Sequence, residues 1–319
     1  RTTGFGPVYR GSSPLPGTLI VYKYCVSVYA IVLAAGEGTR MQSTRPKPLH
    51  NICGQEMVIH VIGSLRELQL KKTVIVVGHA AKQVTEVITK QAPKWAHVSF
   101  AEQKTQRGTG DATIVGLTSV DAAAGATSEV SDTSTIIVMP GDTPLLKAST
   151  ISTLINEHQN SNNAATVLTA FVDAPSGYGR IVRAKDDRIL KIVEERDASP
   201  EIKSIHEINT GIYAFRRDLL GPALRRISNK NSQSEYYLTD VIEVLASMGH
   251  HIGSHTAPAN EVSGVNDRWQ LAMAERELRS RINKAWLISG VTMLDPQNTF
   301  IDATVKIGKE VTLLPGTIL

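Results

Sequence analysis

Between residues 27 and 171, short runs rich in β-branched residues alternate with segments whose apolar residues recur at helical spacing. The runs are SVYAIVLA (27–34), TVIVVG (73–78), HVSFA (97–101), TIIVMP (135–140) and AATVLTAF (164–171). Between them lie MVIHVIGSLREL, AAKQVTEVITK, DATIVGLTSV and STISTLINEHQ. This is the pattern of a parallel sheet with crossover helices, and it predicts a doubly wound α/β domain.

After Phe171 the pattern turns antiparallel. RIVRAKDDRILKIVEE places a polar turn at Asp186-Asp187 between two strand-like segments, and INTGIYAF returns as a further strand. Helices are expected near 217–226 and at TDVIEVLASMG, then a strand at HHIGSHTA. DRWQLAMAERELRSRINKAWLI reads as a long amphipathic connector helix, with Trp269, Met273, Leu278 and Ile282 on one stripe. In the last residues Ile301, Ile307 and Leu313 recur at about every sixth position, with glycines at 308 and 316. That spacing fits the first coils of a left-handed parallel β-helix, a repeat that needs several coils to bury a core. The expected organisation is therefore a leader or extension at 1–26, a doubly wound α/β domain with its antiparallel section at 27–262, a connector at 263–290 and a truncated β-helix at 291–319.

With 42% hydrophobic and 20% charged residues in 319, the chain has material for a large core. Its formal charge of +4 is spread along the sequence, so no nucleic-acid partner is expected, while a local anionic ligand is compatible with it. Two cysteines, Cys25 and Cys53, support neither a disulfide framework nor a Cys-rich zinc site, and a reducing, cytoplasmic setting fits best. TLIVYKYCVSVYAIVLAAG loosely imitates a signal peptide, but Lys23 interrupts it and it is too short and broken for a membrane span. No membrane partner is expected.

The stretch LAAGEGTRMQSTRPKPL (33–49) is a glycine-rich turn after a strand. Met41 stands where a dinucleotide-binding turn needs its third glycine, and no G-K-[ST] follows, so neither standard phosphate motif applies. Small residues here let backbone N–H groups approach phosphate, and Arg40 and Lys47 supply positive charge; an ordinary loop with surface cations would carry the same residues. Asp142 follows a strand at the carboxyl edge of the sheet, where it could ligate Mg²⁺ or merely cap a turn. His250, His251 and His255 lie on a strand-like segment, which disfavours a zinc site, and Cys53 reads as an unactivated thiol.

L-x-x-G-x-G-T-R-M followed by P-K resembles the sugar-nucleotide pyrophosphorylases, and its spacing resembles their N-acetylglucosamine-1-phosphate uridyltransferase branch, the bifunctional bacterial GlmU enzymes. The resemblance continues through AEQ-x4-GTG (101–110), GDTPLL (141–146), GYGRI (177–181), IVEERDA (192–198), EINTGIYAF (207–215), EYYLTDVI (235–242) and GVNDRWQL (264–271). It implies a Rossmann-like doubly wound nucleotidyltransferase domain, a connector helix and the first β-helix coils.

It also implies roles. Leu33, Ala34, Ala35 and Gly36, with Lys47, Pro140, Gly141 and Asp142, would line the nucleotide, while Gln103, Gly108 and Thr109 would read uracil. Gly179, Glu194 and Asn209 would hold the sugar, with Glu195 turned away. Asp142 and Asn266 would hold Mg²⁺, and Arg40 and Lys47 would be catalytic. The implied reaction joins UTP and N-acetylglucosamine 1-phosphate into UDP-N-acetylglucosamine, releasing pyrophosphate. Full-length relatives are trimers through their β-helix, which also carries their acetyltransferase activity; this chain would lack nearly all of it, which leaves its own oligomeric state open, a monomer included. Glu37 should face solvent, and Asp111 stands where several relatives carry His. The nearest alternative is a pyrophosphorylase for another sugar, such as glucose 1-phosphate with UTP or dTTP, against which EINTGIYAF and GVNDR weigh. A non-catalytic subunit of the same fold is disfavoured by the presence of Arg40, Lys47, Asp142 and Asn266.

Overall fold

The computed structural model describes residues 26–124 and 131–319. The leader expected at the N-terminus falls, but for residue 26, outside them. β1 (Val28–Ala34) runs into the glycine-rich loop, and a small hairpin of β2 (Asn51–Ile52) and β3 (Gln55–Glu56) leads to α1 (Met57–Gly63). β4 (Leu70–Val77), α2 (Ala81–Gln91), β5 (Val98–Glu102), α3 (Thr109–Ala124), β6 (Thr135–Pro140), α4 (Ala148–Asn160) and β7 (Ala165–Phe171) follow. The second half adds β8 (Arg180–Arg183), β9 (Ile189–Val193), α5 (Pro200–Lys203), β10 (Glu207–Arg216), α6 (Arg217–Leu224), α7 (Asp240–Ser247) and β11 (Ile252–Thr256). It closes with α8 (Ala259–Val262), α9 (Arg268–Ile288), and β12 (Thr292–Met293) and β13 (Thr312–Leu313), which pair in parallel.

Among the described residues nine strands form one sheet, with β11-β7-β10-β6-β1-β4-β5 in order and β8 and β9 joined to it through β10. β6, β1, β4 and β5 are mutually parallel, as are β7 and β11. β10 is antiparallel to both of its neighbours, β6 and β7. The seven-strand path is thus parallel with one reversed strand, β10, in its middle, and that reversal falls in the section after Phe171 where the sequence pattern turns antiparallel. The β8/β9 hairpin turns at Asp186-Asp187 as expected, with Asp187 left-handed at φ 67.

The period of two along each strand divides the core. β1 sends Val28, Ala30, Val32 and Ala34 to the face covered by α1, α2 and α4, and Tyr29 and Ile31 to the face covered by α3, α6 and α7. Helices therefore cover both faces, which explains the near-continuous apolar runs of the sequence. α9 buries Ala274 and packs Leu271, Leu278 and Ile282 inward, while Trp269 is 72% exposed. Leu278 and Ile282 of the expected stripe thus face the core, while Leu271 and Ala274 take the places expected for Trp269 and Met273 in the first turns after the Asp267 cap. Val291, Met293, Ile301 and Leu313 form a separate small core, with Ile307 packed against it.

Strand order reverses between β1 and β6: β4 and β5 lie on one side of β1, and β6 lies on the other. In open α/β sheets the crevice beyond the carboxyl ends of the strands at such a reversal is where ligands bind. Here those ends are Ala35-Gly36 and Gly141-Asp142, tied together by the Gly141 N–H donating to Leu33 O at 2.9 Å.

Candidate active site

A cavity of about 540 Å³ opens at this crevice. Leu33 to Gly36, Lys47, Gln103, Gly108, Thr109, Pro140 to Asp142, Glu194 and Asn209 all border it. Arg40 borders an adjoining hollow of about 410 Å³ that shares Thr39 and Glu194 with the first. Residues from five motifs scattered over the chain thus meet in one place.

The loop after β1 owes its shape to Gly38 and Met41. Gly38 is left-handed at φ 67, and a Cβ there would lie 2.5 Å from the Cβ of Lys47, so a side chain would collide. Met41 is buried, its N–H donates to Gly38 O at 2.9 Å, and its carbonyl accepts from Arg268 Nε at 3.0 Å. The residue that excludes a dinucleotide-binding turn is therefore the anchor that fixes this one. Glu37 is exposed at the rim of the cavity.

Asp142 and Asn266, far apart in sequence, converge. The Val265 N–H donates to Asp142 O at 2.9 Å, and the Asn266 N–H to Gln270 Oε1 at 2.7 Å, while Asp267 caps α9 by accepting from the Gln270 N–H at 2.8 Å. GVNDRWQ is thus a variant of the capping box, D-x-x-Q, whose fixed geometry aims Asn266 at the site. The Lys47 ammonium bonds Asp142 Oδ2 and also Asn266 Oδ1, the latter at 2.9 Å, and Arg40 Nη2 donates to the same Asn266 oxygen at 2.9 Å. A carboxylate and a neutral carbonyl oxygen gripping one cation between them form a donor set suited to Mg²⁺, which takes one or two protein oxygens and completes its shell with water and phosphate. The ammonium marks where such a charge is held.

On the opposite wall, Gln103 is buried and its Nε2 donates to Gly108 O at 3.2 Å and to Asp111 Oδ2 at 2.8 Å. Gly108 has φ 104, and a Cβ on it would sit 2.5 Å from Tyr236 O. The Thr109 hydroxyl accepts from the Leu238 N–H at 3.0 Å, so its side chain holds the EYYLT segment rather than pointing freely into the cleft. That segment in turn supplies Thr239, whose hydroxyl donates to Glu194 Oε1 at 3.1 Å. Sequence reading did not single out Thr239, although it lies within EYYLTDVI.

Glu194, Gly179 and Asn209 come together as expected: a Cβ on Gly179 would lie 3.5 Å from both Glu194 Oε2 and Asn209 Cβ. Asn209 sits at an irregularity in β10, its N–H donating to Gly179 O at 2.9 Å and its Oδ1 accepting from the Gly211 N–H at 3.1 Å. Glu195 pairs with Arg180, at 2.7 Å from its Nη2, leaving Glu194 to the cleft. Burial pushes the Glu194 carboxyl above the usual carboxylate range against the pull of Thr239, and Asp240, Asp197 and Glu235 push the same way. Folding therefore penalises its ionised form: its contribution to stability is full below the ordinary carboxylate range and is lost as pH rises through the raised value. Glu194→Gln is accordingly expected to raise the melting temperature by about 2 °C or more at pH 8 and to leave it unchanged near pH 4. Thermal melts at the two pH values check this, and an equal shift at both would contradict it.

Other candidates stand apart. Cys53 is buried, and burial, followed by the neighbouring Glu275, pushes its thiol well up, away from reactivity. His251 Nδ1 faces Asn163 Oδ1 at 2.8 Å and His255 Nδ1 faces Glu157 at 3.0 Å, and no cluster of three metal-ligating side chains occurs among the described residues. Among these residues no helix is long and apolar enough to cross a membrane.

The profile of the Nucleotidyl transferase family matches residues 29–286. Curated relatives include the bifunctional protein GlmU of Thermoanaerobacter pseudethanolicus, 40% identical over 289 residues that cover 91% of this chain and 60% of that protein. GlmU of Thermobifida fusca is 43% identical over 290 residues, 91% of this chain and 58% of that protein, and GlmU of Clostridium botulinum is 44% identical over 289, 91% and 60%. The chain spans about three fifths of the length of these relatives. A crystal structure from Bacillus anthracis, assigned as a glucose-1-phosphate thymidylyltransferase with sucrose bound, superposes with a TM-score of 0.62 at 19% identity, covering 78% of this chain and 94% of that one, and attests to the shared fold. With the loop, the crevice and Asn266, just before the α9 cap, all inside the matched region, the chain belongs to the nucleotidyl transferase family.

Proposed function

We propose that this cleft transfers a uridylyl group from UTP to N-acetylglucosamine 1-phosphate, giving UDP-N-acetylglucosamine and pyrophosphate, as a step in making cell-wall precursors in the cytoplasm. The observation that carries the reading is the convergence of Asp142, Asn266, Lys47 and Arg40 at the mouth of a cavity bordered by a buried amide on one wall and a carboxylate on another. The GlmU relatives favour this substrate pair.

A phosphate oxygen of the sugar phosphate attacks the α-phosphorus of UTP in line, and pyrophosphate leaves. The nucleophile is already anionic, so no general base is needed, and this chain's task is to hold two anions together. The backbone of Leu33 to Gly36 and of Pro140 and Gly141 lines the nucleotide; Gln103, Gly108 and Thr109 read the base. Glu194 accepts from sugar hydroxyls while Thr239 steadies it, and Asn209 and the backbone of Gly179 complete the sugar pocket. Lys47 turns from Asp142 toward the α-phosphate and the incoming phosphate, and Arg40 from Asn266 toward the departing pyrophosphate. Asp142 and Asn266 would hold Mg²⁺, which would supply charge stabilisation on the phosphates.

Residues 27–262 form the catalytic domain, and 263–290 the connector. Residues 291–319 wind the first coils of a left-handed β-helix, a reading supported by the parallel return of Thr312 beside Thr292 and of Ile318 beside Phe300. The whole protein would assemble as a trimer through that helix.

Pyrophosphate release in one buffer across a panel of sugar phosphates and nucleotides tests the reading. Turnover is expected to be fastest with UTP and N-acetylglucosamine 1-phosphate and to vanish when divalent metal is chelated. Faster turnover with glucose 1-phosphate would move the assignment to another sugar, and equal turnover without metal would remove the ion from the mechanism.

A further inference from the structure

Asp111 stands in the first turn of α3, where an acidic residue ordinarily serves the helix dipole. Its two oxygens are taken by side chains instead: Oδ2 accepts from Gln103 Nε2 at 2.8 Å, and Oδ1 from Arg107 Nη2 at 2.7 Å. Gln103 is 5% exposed, and the same Nε2 also donates to Gly108 O at 3.2 Å. A carboxylate and a peptide carbonyl offer acceptors only, so the part of the amide turned toward them has to be its NH2 group. Both hydrogens are then spent within the protein. The capacity that remains to this cavity-lining side chain is the acceptor Oε1.

We propose that Asp111 is a positioning residue for base choice. By holding the NH2 of Gln103 from behind, it leaves an acceptor to face the base, and so selects a pyrimidine with N–H at ring position 3, as in uracil or thymine, over cytosine, whose N3 is itself an acceptor. Arg107, reaching in from the surface, fixes the carboxylate that does the holding. The inference rests on Gln103 being the base reader of the proposed function.

The test measures kcat and KM for UTP and for CTP, at saturating sugar phosphate, in the parent and in Asp111→Asn, Arg107→Ala and Gln103→Ala, with a thermal melt of each. In Asp111→Asn the new amide can donate to Gln103 Oε1, turning Gln103 over so that it offers donors to the base. The expected result is a KM for UTP raised roughly tenfold, a preference for UTP over CTP reduced roughly tenfold or more, and an unchanged KM for the sugar phosphate. Arg107→Ala should move the preference the same way by less, and carries the test should Asp111→Asn fail to fold. Gln103→Ala should lose the preference outright, with Asp111→Asn adding nothing to it. If Gln103→Ala loses the preference while folded Asp111→Asn and Arg107→Ala keep it, the role of Asp111 is overturned and the base-reading role of Gln103 stands. If Gln103→Ala keeps the preference, both fall. A lowered melting temperature with all KM values raised and the UTP-to-CTP ratio intact would make Asp111 purely structural, and would also overturn the proposal.

Discussion

Asp142→Ala is expected to lower kcat for pyrophosphate release by about 10³-fold or more while the protein still folds. The Asp142 carboxylate is the charged member of the oxygen pair that grips the Lys47 ammonium, and the proposed metal would lose its only anionic protein ligand with it. Lys47 would also be left with Asn266 alone, a neutral partner that cannot restrain it as a carboxylate does. The fold should tolerate the change, because the Gly141 N–H to Leu33 O and Val265 N–H to Asp142 O bonds that shape the crevice are made by backbone. Steady-state kinetics across a magnesium titration, with a thermal melt, check the prediction. A variant that regains parental kcat at high magnesium would show that Asp142 contributes affinity for the ion and little else.

Arg40→Ala is expected to cost about 10²- to 10³-fold in kcat with a smaller change in KM for UTP, since the charge it meets grows as pyrophosphate departs. Arg40 is exposed, on a single turn at Thr39–Met41, so its loss removes little packing. Its guanidinium already reaches Asn266 Oδ1, which puts it beside the proposed metal ligand without any rearrangement of the loop. Arg40→Lys should recover part of the rate, because an ammonium supplies the charge without the planar fork. An unchanged kcat with a raised KM would instead assign Arg40 to uniform nucleotide binding.

The layers of the fold were legible because physics leaves a period in the sequence. β1, β4 and β6 are buried on both faces, and only apolar, largely β-branched runs survive there. The polar turn at Asp186-Asp187 announced the antiparallel section, but periodicity says nothing about neighbours, and so the seat of β10 between β6 and β7 could not be read from INTGIYAF. Two-residue strands such as β2 and β3, and the four-residue α5 and α8, are too short to leave any period. The α9 stripe was legible at Leu278 and Ile282 but not at its start, because Trp269, apolar by type, lies exposed in the first turn while Leu271 and Ala274 face the core.

The site was legible as a set of motifs, and its internal wiring was not. Nothing in the spacing of Lys47, Asp142 and Asn266 announces that one ammonium joins the other two, since long-range contacts are made by the sheet order and the α9 cap. Thr239 and Asp111 act through other side chains, Glu194 and Gln103, and carry no pattern of their own. Asp111 had no account from sequence; in the structure both of its oxygens are engaged.

The fate of the α-phosphorus tests uridylyl transfer most directly. With UTP labelled at that atom, N-acetylglucosamine 1-phosphate and magnesium, the label is expected in UDP-N-acetylglucosamine alone, with one unlabelled pyrophosphate released for each molecule formed. Label recovered as free UMP, or no sugar-phosphate-dependent transfer by the folded protein, would contradict the account.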